Sequence, residues 1–238
     1  MGLTFRVPPE WGRWTGFALF TAMLGFQGSL WFKLDGSWVS LTRWTLVTLL
    51  FLLFWSAYLV RRPLKAGAHD WKEWALPFFC AGLPFAIMML PSLFFVPLER
   101  YCPLWSATWI WPLIKNLTPE PHSVGLWLMA VGEALTIWGM INLRGNFSIA
   151  TEVRDWVQTG PYRWIRHPLY AGEILSVWGY AIFWPSLWSL SGALCFHLAQ
   201  FLRARMEEQK LLSVYPDYKS VQKNCGMFWP RWRKCGKL

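Results

Sequence analysis

This sequence contains few charged residues. Asp, Glu, Lys and Arg make up 15% of its 238 residues, whereas hydrophobic residues make up 55% and include 20 Trp and 17 Phe. Soluble domains carry roughly 25% charged residues, and so many large apolar side chains exceed what one soluble core needs. The composition therefore excludes an ordinary soluble domain and predicts an integral membrane protein.

Cysteine is scarce and irregularly placed. The five cysteines are an odd number and show no CxxC or Cys/His ligand spacing, which argues against a disulfide framework and against a metal site. We expect packing residues or free thiols.

Arg6, Glu10 and Arg13 around the Pro8-Pro9 pair do not fit a cleavable signal peptide, so the first apolar segment is expected to stay in the mature protein.

Apolar segments long enough to cross a bilayer recur along the chain. A span needs about 20 apolar residues. The candidates lie at about 14–32, 44–60, 74–98 and 122–143. The run 174–202 is too long for one simple span and contains Pro185, which predicts a helical hairpin turning between Trp184 and Trp188. The aromatic run 101–114 is interpreted as an interfacial connection. We predict an all-α, multi-pass membrane bundle with a C-terminal helical hairpin.

The basic residues predict the orientation of this bundle. Of the 23 Lys and Arg, 19 fall in the N-terminus, the 61–73 connection, the 144–168 segment and the tail after residue 202. Cytoplasmic connections carry the excess of Lys and Arg, so both termini are predicted to be cytoplasmic. The net charge of +10 then belongs to a face that contacts anionic membrane lipids, and nucleic-acid binding is not expected.

A polar segment with catalytic side-chain types lies on that face. It reads Gly160-Pro161-Tyr162-Arg163-Trp164-Ile165-Arg166-His167-Pro168-Leu169-Tyr170-Ala171-Gly172, and is called the RHPLY segment below. Its Arg, His and Tyr side chains supply hydrogen-bonding groups and an imidazole that titrates near neutral pH, while its prolines fix the backbone. We interpret it as a binding site for a polar ligand at the membrane surface.

A second polar cluster opens the C-terminal tail, from Phe201 to Leu212. Helical spacing places Arg203 and Glu207 on one face, where a carboxylate could bind a ligand ammonium or a ribose hydroxyl. The alternative is a solvated helix with exposed Arg203–Glu207 and Arg205–Glu208 pairs, each worth a few tenths of a kcal/mol. Spacing alone favours the solvated helix.

Three motifs, in this order and spacing, resemble those of a known enzyme family. They are LRGNFS at 143–148, TGPYRWIRHPLYAG at 159–172, and FLRARMEEQKLL followed by YPDY within 201–218. Together they resemble the isoprenylcysteine carboxyl methyltransferases, which are integral membrane methyltransferases related to the phospholipid N-methyltransferases. The resemblance covers roughly residues 125–230. It implies N-terminal membrane helices at 1–121 and a methyltransferase core at 122–238.

The resemblance implies methyl transfer from S-adenosylmethionine, held at the cytoplasmic face by polar C-terminal segments. A soluble Rossmann domain is not implied, and the sequence has no GxGxxG segment. The implied cofactor-binding residues are Arg154, Asp155, Trp156, Val157, Tyr162, His167, Pro168, Leu169, Tyr170, Glu207 and Glu208. Arg203 matches a position associated with orienting the acceptor, so it is the implied catalytic and substrate-binding residue.

The acceptor implied by the resemblance is lipophilic or lipidated, with an isoprenylcysteine-type carboxylate as the leading candidate. A carboxylate is already nucleophilic at neutral pH, and Arg203 could position it by a bidentate contact. A phospholipid amine must first lose a proton, for which His167, Glu207 and Glu208 are candidates. A small thiol is equally compatible, and these residues do not decide among the three acceptors.

Two other functional classes stay open. One is a nicotinamide-dependent membrane reductase of the sterol type, whose motifs differ from those here; the other is a non-catalytic scaffold or transporter, which leaves both polar clusters without a role. Two further carboxyls lie in or beside the apolar segments. Glu133 is either a substrate contact or a neutral, helix-bridging carboxyl, and Glu173 either supports the RHPLY segment or pairs at the interface.

Overall fold

The computed structural model describes residues 9–33, 36, 38–90 and 121–231. Over these residues the chain forms seven α-helices. They are α1 (Pro9–Leu30), α2 (Trp38–Leu59), α3 (Lys72–Leu90), α4 (Pro121–Leu143), α5 (Pro168–Phe183), α6 (Leu187–Val214) and α7 (Tyr218–Asn224). In the same ranges β-structure is limited to two isolated bridges. The predicted all-α class is confirmed for this part of the chain.

The helices occupy the predicted apolar segments. One helical stretch, Ser123–Asn146, is long and apolar enough to cross a membrane; it comprises most of α4 and the short 3-10 helix Arg144–Asn146 that follows. Trp44–Leu59, within α2, is a shorter apolar helix, and both statements hold for the described residues only. The end of the third predicted span and the aromatic run 101–114 lie outside those residues.

The predicted helical hairpin is present. Its turn falls between Phe183, where α5 ends, and Leu187, where α6 begins, so Pro185 lies in the turn and not within a helix. Ser186 caps α6, because its hydroxyl accepts a hydrogen bond from the Ser189 N–H at 3.0 Å. The hairpin brings the start of α5 and the end of α6 to the same side of the bundle.

Helices α4 and α5 pack backbone against backbone. Glycines recur every seven residues on α4, at Gly125, Gly132 and Gly139, and two of them face Gly172 and Gly179 on α5. A Cβ on Gly132 would lie 2.6 Å from the Gly172 carbonyl oxygen, and one on Gly179 would lie 2.8 Å from the Gly125 carbonyl oxygen. Small residues permit this approach, which fixes the RHPLY segment relative to α4.

The chain between α4 and the RHPLY segment, called the connecting segment (residues 147–159), is held by buried charges. Glu152 forms ion pairs with Arg61 at 2.5 Å and with Arg154 at 2.9 Å, and all three side chains are at most 5% exposed. Removing one partner of such a buried group leaves the others uncompensated, at a cost of about 3–5 kcal/mol. Through Arg61, which follows α2, the N-terminal half of the chain therefore fixes the connecting segment.

Two further contacts hold the connecting segment. The Tyr58 hydroxyl, at the end of α2, accepts a hydrogen bond from the Ile149 N–H at 3.0 Å. Lys210 on α6 donates to the Thr151 carbonyl at 3.0 Å and pairs with Glu73 on α3 at 2.7 Å. The connecting segment is thus bound on one side by α2 and α3 and on the other by α6.

The RHPLY segment is bound by the residues that follow α7. The Arg166 and His167 N–H groups donate to the carbonyls of Gly226 and Met227, both at 3.0 Å. A Cβ on Gly226 would lie 1.8 Å from the Trp229 carbonyl oxygen, so a glycine is required there. These two main-chain hydrogen bonds fix the backbone position of His167, and therefore the point from which its side chain extends.

The prediction of packing residues or free thiols is wrong for one cysteine. Cys225 is disulfide-bonded, and it is fully buried against Tyr218 and Val221, whereas Cys80 and Cys195 are free thiols. Sequence spacing did not reveal the bond because a disulfide depends on the distance between two Cα atoms in the folded chain.

The alternative that spacing alone favoured for Phe201–Leu212, a solvated helix, is wrong at Arg203 and Glu208, which are both buried. The Glu208 side chain is 3% exposed; it pairs with Arg166 at 2.9 Å, lies 3.1 Å from His167 Nε2 and accepts a hydrogen bond from Gln222 at 2.9 Å. Burial would raise the pKa of this carboxyl, but His167, Arg166 and Gln222 outweigh burial and lower it. The RHPLY segment, α6 and α7 therefore share one buried carboxylate.

We expect Gly132→Ala to destabilise the α4–α5 pair. The added Cβ would lie 2.4 Å from the Ser176 hydroxyl and 2.6 Å from the Gly172 carbonyl, and overpacking of this kind costs about 1–3 kcal/mol. The measurement is the thermal unfolding midpoint in detergent. Gly82→Ala on α3 is the matched control, because a Cβ there meets nothing within 4 Å. Equal midpoints for the two variants would contradict this packing.

We expect Glu208→Gln to lower stability at pH 7 and to do so less as the pH falls. The Glu208 pKa is lower in the folded protein, so its carboxylate stabilises the fold above the unfolded pKa and this contribution is lost as the pH falls through the folded pKa. The measurement is the difference between the unfolding midpoints of wild type and variant at several pH values. A pH-independent difference would contradict the role given to this carboxylate, and Asp217→Asn, an exposed carboxyl on the same tail, is the control.

Candidate active site

A cleft lies where the connecting segment, the RHPLY segment and α6 meet. Nine of the eleven residues predicted to bind a cofactor line it: Arg154, Asp155, Trp156, Val157, Tyr162, His167, Leu169, Tyr170 and Glu207. These residues come from three parts of the chain that are distant in sequence. The hairpin and the connecting segment bring them together.

Two predicted residues do not line the cleft. Pro168 is fully buried as the first residue of α5, a helix position that tolerates proline because its N–H would lack a helical partner. Glu208 faces away from the cleft lining and binds Arg166 and His167 instead. Their placement supports the shape of the RHPLY segment, and a direct cofactor contact by either residue stays a prediction.

Glu207 presents a carboxylate to the cleft. Its side chain is 21% exposed, accepts a hydrogen bond from the Tyr170 hydroxyl, and lies 3.3 Å from Arg203 Nε and 4.0 Å from His167 Nδ1. The predicted Arg203–Glu207 pair is therefore confirmed. The pair sits at the edge of a cleft and not on a solvated helix face.

The other carboxylates in the lining are already paired. Glu152 is held by Arg61 and Arg154, and Asp155 pairs with Lys65 at 2.9 Å and Arg62 at 3.0 Å. The hydrogen bonds from Lys65 and Arg62 lower the pKa of Asp155, so this carboxyl is ionised at neutral pH. Glu207 is paired through Oε1, whereas its Oε2 lies 4.0 Å from His167 Nδ1. Oε2 of Glu207 is thus the lining carboxylate oxygen best placed to meet a ligand.

The rings of His167 and Tyr170 form a stack beside Glu207. Their planes are 4° from parallel with centroids 5.4 Å apart, and the Arg203 guanidinium lies 4.7 Å from the Tyr170 ring centroid. Such stacking fixes both side chains without using the atoms that could reach a ligand. The layer places an imidazole and a phenol hydroxyl next to one carboxylate.

Arg203, the predicted catalytic and substrate-binding residue, lies behind this layer and does not line the cleft. It is 4% exposed, and its Nη2 donates to the Ile149 carbonyl at 3.0 Å and the Ser148 carbonyl at 3.3 Å. It therefore positions the connecting segment as well as Tyr170 and Glu207. Its acceptor role stays a prediction.

Aromatic side chains form another wall of the cleft. Trp156 meets the Tyr218 ring edge to face at 5.4 Å, and Phe147 and Tyr162 also line the cleft. Burial raises the pKa of both Tyr162 and Tyr218, so their hydroxyls are neutral at physiological pH. This wall suits a flat, apolar ring.

Sequence reasoning missed several lining residues. Arg166, Phe147, Tyr218 and Leu211 belong to the three motifs but were not assigned to the site, and Val221 is an ordinary apolar helix position. Position within the motifs could have found the first four. Val221 enters the lining because α7 packs against the cleft, which no local pattern indicates.

Two guanidinium groups at the cleft carry unused donors. The Nε atoms of Arg154 and Arg166 are buried and have no hydrogen-bond partner among the described residues. Both side chains line the cleft. The cleft therefore combines one carboxylate, two arginine donors and an aromatic wall.

Comparison with known proteins points to the same part of the chain. Residues 121–218 match the model of the phospholipid methyltransferase family. The cobalt-zinc-cadmium resistance protein CzcN of Cupriavidus metallidurans is 29% identical over 128 residues, which are 53% of this chain and 54% of that protein. This chain therefore aligns with about half the length of that curated relative.

A solved structure is also similar in outline. The eukaryotic intramembrane Ras methyltransferase ICMT, an isoprenylcysteine carboxyl methyltransferase, aligns with 94% of this chain and 87% of its own, at a TM-score of 0.47 and 17% sequence identity. The family match runs from the start of α4 to the first residue of α7 and contains all three motifs. The family match confirms the resemblance predicted from the sequence: residues 121–218 of this chain are similar to the phospholipid methyltransferases.

Proposed function

We propose that the protein is a multi-pass membrane methyltransferase that transfers a methyl group from S-adenosylmethionine to a lipophilic acceptor. One observation carries this proposal. The 154–157 segment, the RHPLY segment and Glu207 converge on one cleft that offers a carboxylate, an imidazole and an aromatic wall. The family match over 121–218 supports the reaction class.

The donor set of the cleft fits S-adenosylmethionine. The Glu207 carboxylate suits the cofactor's ammonium group or its ribose hydroxyls, and the unused Nε donors of Arg154 and Arg166 suit its carboxylate. Trp156 and Tyr162 offer aromatic faces to its adenine ring. These residues would hold the cofactor at both of its ends.

The reaction requires the protein mainly to align the cofactor and the acceptor. When bound, S-adenosylmethionine supplies a methyl group attached to a positively charged sulfur: the acceptor's lone pair forms the new bond to the methyl carbon, and the sulfur keeps the electron pair of the bond that breaks. Rate then depends on orienting the reactants and excluding water. Tyr170, fixed between His167 and Arg203, and the connecting segment, fixed by Glu152, are the rigid parts of the cleft that provide this orientation.

The proposal includes the membrane topology. We infer that α1 to α3 and the α5–α6 hairpin are embedded together with α4, with both termini and the cleft at the cytoplasmic face. Leu194, Leu198 and Leu202 form one exposed stripe along α6, at 53%, 56% and 54% exposure, which suits contact with lipid. The 19 basic residues on the proposed cytoplasmic side support the orientation.

The acceptor in this proposal is lipophilic, with an isoprenylcysteine-type carboxylate as the leading class; a phospholipid amine and a small thiol are the alternatives. Arg203 is the residue that would position a carboxylate. Its Nη2 is bonded to main-chain carbonyls and its Nε faces Glu207. A carboxylate acceptor would therefore compete with existing partners of this guanidinium.

We expect S-adenosylhomocysteine to raise the thermal unfolding midpoint of the purified protein in detergent. A ligand that binds only the folded state stabilises it by mass action, by about 2.7 kcal/mol at 100 times its Kd. NADPH, which a reductase would bind, serves as the comparison ligand. A shift with NADPH and none with S-adenosylhomocysteine would overturn the methyltransferase proposal.

We expect Glu207→Gln to weaken S-adenosylhomocysteine binding by about tenfold or more, because a charge-assisted hydrogen bond contributes roughly 1.5–3 kcal/mol. Arg203→Ala should mainly reduce methyl transfer to the acceptor. Isothermal titration calorimetry measures the first effect and a methyl-transfer assay with radiolabelled cofactor on membranes measures the second. Equal loss of S-adenosylhomocysteine affinity in both folded variants would contradict this division of roles, and Asp217→Asn is the control for a lost surface charge.

A further inference from the structure

A surface rich in basic and aromatic side chains lies beside the RHPLY segment, outside the lining of the cleft. Trp164 is 43% exposed and Trp229 is 68% exposed, so two large aromatic rings are uncovered here. The exposed side chains of this basic aromatic surface come from the RHPLY segment and from the part of the chain that begins with α7; they are Arg163, Trp164, Lys223, Trp229 and Arg231.

Printed contacts join the two parts of the basic aromatic surface. Ile165, directly after Trp164, forms an isolated β-bridge with Gly226. Arg231 folds back over this bridge, because its Nη1 donates to the Lys223 carbonyl at 2.9 Å and its Cγ would lie 3.5 Å from a Cβ on Gly226. The five exposed side chains therefore belong to one surface.

The charge of this surface has one sign. Neither 156–172 nor 218–238 contains an Asp or a Glu, whereas 218–238 contains six Lys and Arg, at 219, 223, 231, 233, 234 and 237, of which the last three lie outside the described residues. Arg163 and Lys223 form no ion pair with any residue that the structure describes. A cluster of about four to eight basic residues beside a membrane segment is typical of binding to anionic lipid headgroups.

The position of the basic aromatic surface along the chain favours a bilayer as its partner. Helix α5, part of the proposed membrane hairpin, begins at Pro168, four residues after Trp164. Trp side chains are enriched at the depth of the headgroups, where an apolar ring and a polar N–H are both accommodated. An acidic soluble protein would match the charge, but exposed tryptophans this close to a membrane helix match headgroups better.

We propose that the basic aromatic surface binds anionic phospholipid headgroups of the cytoplasmic leaflet, and that this contact strengthens cofactor binding in the cleft. The link is the main chain, because the Arg166 and His167 N–H groups donate to the carbonyls of Gly226 and Met227. Headgroups that hold the tail hold this pairing, and with it the backbone of His167 at the cleft. Two ligands that stabilise the same arrangement raise each other's affinity. The inference rests on the proposed cofactor cleft and membrane topology.

The test varies the headgroup charge of the bilayer. Full-length protein is placed in nanodiscs of phosphatidylcholine alone or of an equal mixture of phosphatidylcholine and phosphatidylglycerol, and S-adenosylhomocysteine binding is measured by calorimetry. We expect its Kd to be about fivefold or more lower in the mixture, which is the size of a modest coupling between two sites. Raising the salt concentration to about 1 M, where the Debye length is about 3 Å, should remove most of the difference.

The variants locate the effect through the ratio of the two Kd values, in which any effect of a variant on cofactor binding itself cancels. Lys223→Gln should lower this ratio, and Lys223→Glu should abolish the preference, because a carboxylate repels anionic headgroups. Lys72→Gln is the matched control, since Lys72 is also exposed and without an ion pair in the described part of the chain, but lies on α3. If Lys223→Glu does not fold, Lys223→Gln gives the result.

Three results overturn the inference. The first is measurable but equal S-adenosylhomocysteine affinity in the two nanodiscs, and the second is an equal fall of the Kd ratio in Lys72→Gln and Lys223→Gln. The third is that soluble poly-glutamate, added to phosphatidylcholine nanodiscs, tightens binding as much as phosphatidylglycerol does, which assigns the surface to an acidic protein.

The proposed function fails separately. Hydrogen exchange of the Arg166 and His167 amides is measured without cofactor, and phosphatidylglycerol should slow it in wild type and not in Lys223→Glu. If S-adenosylhomocysteine binds in neither nanodisc but this slowing is present, the methyl donor is wrong and the lipid surface stands. If the slowing is absent as well, both are wrong.

Discussion

The shape of the cleft depends on the buried Glu208 carboxylate. It pairs with Arg166 and contacts His167 in the RHPLY segment, and it accepts a hydrogen bond from Gln222 on α7. Glu208 itself lies on α6 and its partners come from two other parts of the chain, so one side chain fixes how the segment, α6 and the tail meet. Its neighbour Glu207 is turned by about 100° on the same helix and faces the cleft. Of these two adjacent glutamates, Glu208 holds the structure together and Glu207 faces the ligand cleft.

A second constraint comes from the N-terminal half, in which sequence reasoning found only membrane helices. Arg61 and Tyr58 hold the connecting segment from one side, and Arg203 and Lys210 hold it from the other. The wall formed by residues 154–157 is consequently set by helices far from the motifs. Since methyl transfer needs fixed geometry and excluded water, these distant contacts belong to the requirements of the site.

Much of the fold and part of the site follow from local patterns. Pro185 within an overlong apolar run predicted the hairpin turn. The family resemblance carried by the three motifs implied nine residues of the cleft lining. The burial of Glu208 was not predicted, because its partners Arg166 and Gln222 lie on other segments and an i,i+3 pattern on one helix equally suits a solvated face. The Cys225 disulfide and the Gly226 pairing likewise depend on contacts between segments, which sequence spacing does not encode.

The layer of His167, Tyr170 and Arg203 lies beside the Glu207 carboxylate at the edge of the cleft. On the cleft side, Glu207 and the unused arginine donors suit a ligand that carries both charges, as the methyl donor does. Arg203 contacts the Tyr170 ring, pairs with Glu207 and donates to the Ser148 and Ile149 carbonyls, so it holds two sides of the cleft at once. Because methyl transfer depends on fixed geometry, Arg203 can matter for the reaction without lining the cleft.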